Sequence, residues 1–371
     1  MKLRKLATLA LGAVLVIGLT ACADTTRDPV SSGGEEAGGL IGISMPTKSL
    51  ERWNNDGANL EARLKEFGYE TTLQYADDKV DMQISQLQNM INQNVKVLVI
   101  AAINGEALAP VLKTAADAGI KIVAYDRLIN GTENVDYYAT FDNYLVGKYQ
   151  GEFIEEALDL KNAAGPFNIE PFAGSPDDNN AKFFFSGAWD VLSPYVESGK
   201  LVSQSGKAPA TNDDWASIGI QGWKTDSAQS EMQNRINSFY TGSTKVDVVL
   251  SPNDSLALGI AQALDTAGYN PDVDWPVLTG QDADIANVKN ILAGKQSMSV
   301  WKDTRTLGDQ VAKMVDQMLK GETVDVNDTT TYHNGVKQVP SYLLPPEVVV
   351  KDTVEEILVG KGYYTKDQIG L

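Results

Sequence analysis

Two short polar motifs stand where hydrophobic runs stop. Ala124-Tyr125-Asp126-Arg127 follows the apolar run 119–123, and Ser251-Pro252-Asn253-Asp254 follows 246–250. A buried strand of an open α/β sheet ends at the crevice where ligands bind. The same placement recurs along the chain: Arg52 and Trp53 come after 40–45, Asn104 after 97–102, and Asp177 to Asn180 after 165–174. Gln281, Asp282 and Asp284 come after 275–280, and Lys302 and Asp303 after 297–301. Carboxylates and amides accept hydrogen bonds, whereas guanidinium and ammonium groups donate them. Together they suit a ligand dense in hydroxyls, each of which does both. Tryptophans stand beside this set, and flat aromatic faces suit the C–H faces of a saturated ring. Each residue also has a plainer use. Asp177, Asp178, Asp254 and Asp284 can cap helices, Arg52 can be solvated, and Trp215 and Trp223 can be core. The functional reading rests on their joint occurrence.

Other chemistries lack their residues. The glycine spacing of a dinucleotide fingerprint and the GxxxxGK[ST] phosphate loop are both missing. One cysteine and one histidine exclude a disulfide framework, a Cys/His zinc site and a Cys–His nucleophilic pair within one chain. The histidine, His333, lies in a polar stretch rich in turn formers and reads as a surface residue. The acidic loop Asp177-Asp178-Asn179-Asn180 could hold calcium, but it has no EF-hand-like spacing. No metal or cofactor is called for, and no catalytic residue is assigned. A formal net charge of -18 argues against a nucleic-acid partner, because binding phosphates needs clustered cations.

The elements that must position these residues alternate. Strands are expected at 40–45, 69–76, 95–102, 119–125 and 135–141, with helices at 50–67, 80–94 and 106–118 between them. The pattern restarts with helices at 145–158, 179–196, 225–239, 255–267, 283–292 and 304–319. Strands at 165–174, 200–204, 246–251, 275–280 and 297–301 separate them, and an extended, proline-interrupted stretch follows at 339–350. Such alternation implies βαβ units in parallel sheets covered by helices on both faces, and the strand count suits two sheets of five or six strands.

The N-terminus reads as a targeting segment. Lys2, Arg4 and Lys5 precede an apolar stretch, 6–19, that is short for a membrane span and fits a signal peptide over 1–21. Leu19-Thr20-Ala21-Cys22 resembles the bacterial lipobox, and the chain's single cysteine sits in it, so Cys22 is the expected lipidation site. Residues 22–38 then read as a flexible tether to a lipid anchor.

The ordered motifs Ile41-Gly42-Ile43-Ser44-Met45-Pro46, Tyr125-Asp126-Arg127, Ser251-Pro252-Asn253-Asp254 and Gly280-Gln281-Asp282-Ala283-Asp284 resemble the periplasmic binding protein type 1 family. The similarity spans 39–371 and is closest to the multiple-monosaccharide-binding and xylose-binding lipoproteins of bacterial ABC importers. The resemblance implies an α/β fold of two Rossmann-like lobes joined by a three-strand hinge. The first lobe would comprise 39–141 plus 302–338, and the second 142–301 plus 339–371. It implies a monosaccharide held between the lobes by Arg52, Asn104, Asp126, Arg127, Asn180, Asn253, Asp282 and Lys302. Trp53 and Trp223 would stack on the ring, and Phe184 is a further candidate among three consecutive phenylalanines. The implied protein is a monomeric, extracytoplasmic receptor that is lipid-anchored to the cell membrane and delivers a pyranose of the xylose, glucose, galactose or arabinose class to a membrane permease. A sensory co-receptor for a kinase or chemoreceptor would use the same lobes. A glycoside hydrolase would need a protonated acid, and aspartates beside arginine and lysine read as ionised.

Overall fold

The computed structural model describes residues 38–371; Cys22, the signal segment and nearly all of the tether lie outside the described residues. In the first lobe the chain runs β1 (Gly38–Met45), α1 (Glu51–Glu66), β2 (Tyr69–Tyr75), α2 (Val80–Asn92), β3 (Val97–Ile100), α3 (Ala109–Asp117), β4 (Lys121–Tyr125) and β5 (Tyr137–Phe141). It crosses into the second lobe for α4 (Asn143–Ala157), β6 (Phe167–Pro171), α5 (Asn179–Glu197), β7 (Leu201–Val202), α6 (Thr225–Phe239), β8 (Val248–Leu250), α7 (Asp254–Thr266), β9 (Val277–Leu278), α8 (Ile285–Leu292) and β10 (Met298–Trp301). It returns for α9 (Thr304–Lys320) and β11 (Ser341–Leu344), then crosses a third time to β12 (Glu347–Val350) and α10 (Lys366–Ile369).

The first sheet has the order β11-β5-β4-β3-β1-β2, and every pairing in it is parallel. Helices cover both faces, so β3 is buried at every position and shows no polar alternation. The second sheet, β7-β6-β8-β9, is parallel too. A bridge from Gln281 to Val300 carries it on to β10, which pairs antiparallel with β12. That last pairing departs from the all-parallel expectation.

The C-terminal boundary expected from the resemblance is corrected. Residues 341–344 pair with β5 in the first sheet and do not belong to the second lobe. Pro345 and Pro346 then break the extended run. Proline offers no N–H to a ladder, so the strand stops and the chain passes to β12. A second difference is the late start of α3, where Pro110 in the first turn marks the beginning.

One close approach matters for the site. A Cβ on Gly147 would lie 1.8 Å from the Phe184 carbonyl oxygen, and one on Gly187 would lie 2.0 Å from that of Tyr144. Only glycine lets α4 and α5 touch this tightly, and the contact seats the first turns of α5 over the space between the lobes.

Candidate functional site: a polar cavity between the lobes

Ten of the eleven residues singled out above line one narrow cavity: Arg52, Trp53, Asp126, Arg127, Asn180, Phe184, Trp223, Asn253, Asp282 and Lys302. Strand termini supply most of them, as the crevice rule requires. Asp126 follows β4 with φ 58°, and Asp282 follows the β9 region with φ 99°. Such backbone costs a non-glycine residue on the order of 1–3 kcal/mol and persists only where its surroundings hold it. At Asp126 they do. Its N–H donates to the Ala139 carbonyl at 2.8 Å, and its own carbonyl accepts from Tyr138 Oη at 2.7 Å, Thr140 Oγ1 at 2.9 Å and Asn180 Nδ2 at 2.7 Å.

The charges form a chain across the cleft. Arg52 Nη2 lies 3.0 Å from Asp126 Oδ1, and its Nη1 lies 3.4 Å from Asp282 Oδ1. Lys302 Nζ closes the square at 3.2 Å from Asp282 Oδ1 and 3.7 Å from Asp126 Oδ1. Burial alone would push the Asp126 carboxyl up, but Arg52, Lys302 and Arg127 outweigh it and hold the group below the usual carboxylate range. Burial likewise works against the charge on Arg52, yet Asp126, Asp56 and Asp282 raise its pKa well above the ordinary value. Asp126 and Arg52 are therefore both held in their charged forms by direct pairing.

Pairing is not saturation. Among the described residues Gln281 Oε1 is buried with no hydrogen-bond partner, and Arg52 Nη2, Asp126 Oδ1 and Arg127 Nε are held by ion pairs at 2.9–3.0 Å that leave them further bonding capacity. Unmade bonds on buried polar atoms are costly, so a ligand bringing hydroxyls into the cavity would gain from each.

Aromatic side chains form the walls. The Arg52 guanidinium lies 4.3 Å from the Trp53 ring centroid, and that of Arg127 lies 5.0 Å from it. Phe184 meets Trp223 edge-on, with centroids 6.3 Å apart. The register of the three phenylalanines follows from their contacts. Phe184 lines the cavity, Phe185 stacks on Trp189 and Phe183 packs against Tyr332.

Asn104 is the exception. It lines a separate cleft at the mouth of the lobes with Glu106, Asp177 and Trp215. Its Oδ1 accepts from the backbone N–H of Glu106 at 2.9 Å and of Ala107 at 3.2 Å, which makes it a turn cap. Asn253 does both jobs, capping α7 through Leu256 N at 3.1 Å while lining the cavity. His333 is exposed.

Asp178 and Gln281 stood in the strand-end set but were not assigned to the ligand, and Asp56 was not singled out. Asp178 lines the cavity, accepts from Trp223 Nε1 at 3.2 Å and pairs with Arg127 Nε at 2.9 Å. It also caps α5, the plainer of the two roles that the sequence allowed it. Gln281 lines the cavity next to Asp282. Asp56 lies behind Arg52, and its signal was the i,i+4 acid–base spacing on one helix.

Comparison with known proteins agrees with this geometry. A family model described as a periplasmic binding protein domain matches residues 41–323. The multiple sugar-binding periplasmic receptor ChvE of Rhizobium radiobacter is 50% identical over 332 residues, covering 89% of this chain and 92% of that protein. A D-xylose-binding periplasmic protein of Haemophilus influenzae is 36% identical over 329 residues, covering 89% and 91%. A crystal structure of an ABC transporter solute binding protein from Clostridium phytofermentans with bound β-D-glucose superposes with a TM-score of 0.85 at 53% identity, covering 89% of this chain and 99% of that one. These relatives are binding proteins and not enzymes. The sequence, the two-sheet architecture and the interlobe cavity together establish that this chain belongs to the periplasmic binding protein family and has its type 1 fold.

Proposed function

We propose that this chain is an extracytoplasmic receptor for a neutral monosaccharide, a pyranose of the xylose, glucose, galactose or arabinose class, that serves an ABC importer. The carrying observation is the cavity's balance. Three cations (Arg52, Arg127 and Lys302) and three carboxylates (Asp126, Asp178 and Asp282) face it together with indole and phenyl walls. The lining therefore has no formal net charge, yet it is dense in charged donors and acceptors, which form the stronger hydrogen bonds. A neutral polyol ring fits such a lining, and a phosphate ester would upset it. The relatives named for multiple sugars, xylose and bound glucose support the same class.

Capture would proceed by hinge closure. Asp126 and Arg52 come from the first lobe, and Asp282, Asn180 and Trp223 from the second, so a ring can touch all of them only when the lobes meet. Selectivity would come from epimers whose misplaced hydroxyl leaves a buried group unpaired. The closed form would then dock on a membrane permease. Cys22 would carry the lipid that keeps a monomeric receptor near it. Asp126 is held low by its cations, and Asp282 pairs with both Arg52 and Lys302. That arrangement speaks for binding over glycoside hydrolysis.

Calorimetry with D-xylose, D-glucose, D-galactose and L-arabinose tests this reading. One-to-one binding of at least one of them is expected, with no measurable binding of glucose 6-phosphate. Absence of heat with all four neutral sugars would overturn it.

A further inference from the structure

Asp56 is fully buried, and it does not line the cavity. Its Oδ2 accepts from Arg52 Nε at 2.9 Å and pairs with Arg52 Nη2 at 2.9 Å. Its Oδ1 accepts from Tyr125 Oη at 2.6 Å. Arg52 therefore sits between one carboxylate behind it and two in front, Asp126 and Asp282. The front pair are the oxygens a ligand hydroxyl must reach. The rear grip decides how far the guanidinium leans onto them.

We propose that Asp56 is a positioning residue for the cavity: it holds Arg52 back from Asp126 and Asp282, and its protonation releases Arg52 onto those carboxylates so that ligand capture weakens in mildly acidic surroundings. The proposal rests on the cavity being a monosaccharide site. The groups facing Asp56 are Arg52 on its own helix, Tyr125 and Asp126 at the end of β4, Tyr75 from β2 and Tyr363 from the C-terminal segment. All three tyrosines are pushed above their ordinary range, so they stay neutral near pH 6. Asp126 is held below its range and stays ionised there. Burial pushes the Asp56 carboxyl up to about 6, against the opposing pull of Arg52. The sign follows. Asp56 is ionised and the grip complete above that value, and the grip is lost as pH falls through it.

The test is calorimetry of the full chain with D-glucose between about pH 5 and about pH 7.5. Wild-type affinity should fall about tenfold across this range, the slope of one coupled proton. Asp56→Asn should be about tenfold weaker than wild type at the upper end and flat across the range. Tyr125→Phe keeps the carboxylate but removes a donor that favours its charge, so its midpoint should move to higher pH. A wild-type pH profile in Asp56→Asn, or an unmoved midpoint in Tyr125→Phe, overturns the proposal. A thermal melt checks that each variant folds, and Tyr125→Phe carries the test alone if Asp56→Asn does not. If the wild type binds no glucose, whichever of D-xylose, D-galactose and L-arabinose it binds replaces it; if it binds none of the four, the reading of the cavity fails, and the rear grip is read without ligand from the Arg52 ¹⁵Nε–H resonance. That signal should titrate near pH 6 in the wild type and not in Asp56→Asn, whereas a pH-invariant wild-type signal overturns the proposal.

Discussion

Two buried ionic clusters in this molecule differ in one respect. In the second lobe, Glu170 and Arg235 are almost fully buried and fully served. Glu170 accepts from Tyr240 Oη at 2.6 Å, Ser205 N at 3.2 Å, Ser205 Oγ at 2.6 Å and Arg235 Nη1 at 3.1 Å. Arg235 also donates to the Pro171 carbonyl at 2.8 Å and to Glu231 at 2.9 Å. The cluster between the lobes has charges as buried and as close, but they are held mainly by ion pairs with one another, and Gln281 Oε1 beside them is unpartnered among the described residues. A saturated network is a structural tie, because nothing in it gains from a newcomer. An unsaturated one between two lobes leaves donors and acceptors with which a ligand could pair.

Four substitutions break or sharpen that contrast. The largest effect should come from Glu170→Ala, which removes the fully buried carboxylate partner of Arg235. It should cost about 3–5 kcal/mol in denaturant unfolding and leave sugar affinity within about twofold. Asp126→Ala should do the reverse, weakening sugar binding at least about tenfold in calorimetry while the protein stays folded, because a charged acceptor facing the ligand is lost. Equal effects of the two on affinity would erase the distinction. Gln281→Ala removes one neutral, unpartnered acceptor and should weaken binding about threefold to tenfold, the worth of a single hydrogen bond. Asn104→Ala should change affinity by less than about twofold, since its side chain caps a turn outside the cavity. A tenfold loss there would move the ligand toward the outer cleft.

The part of this site that was legible in the sequence was the part set by local order. A polar residue directly after a buried run, such as Asp126 after β4 or Lys302 after β10, needs only the strand to exist. Residues whose role depends on three-dimensional partners were hidden. Asp178 reads as a cap because capping is local, whereas its bond to Trp223 and pairing with Arg127 join segments far apart in sequence. Asn104 obeys the strand-end rule, but the turn after β3 spends its oxygen on the backbone. The switch of residues 341–344 into the first sheet had the same cause. Extended character was visible, but which sheet offered the open edge was not. The antiparallel pairing of β12 depends on that switch, since it follows directly from the third crossing.

The most direct measurement is a crystal structure of the chain grown with a mixture of D-glucose and D-xylose. One pyranose should lie between the lobes, with its hydroxyls on Asp126 Oδ1, Arg52, Arg127 and Gln281, the groups that keep further bonding capacity, and its ring against the aromatic walls. A sugar bound in the outer cleft beside Asn104 and Trp215, or an interlobe cavity that stays empty at saturating sugar, would contradict the account.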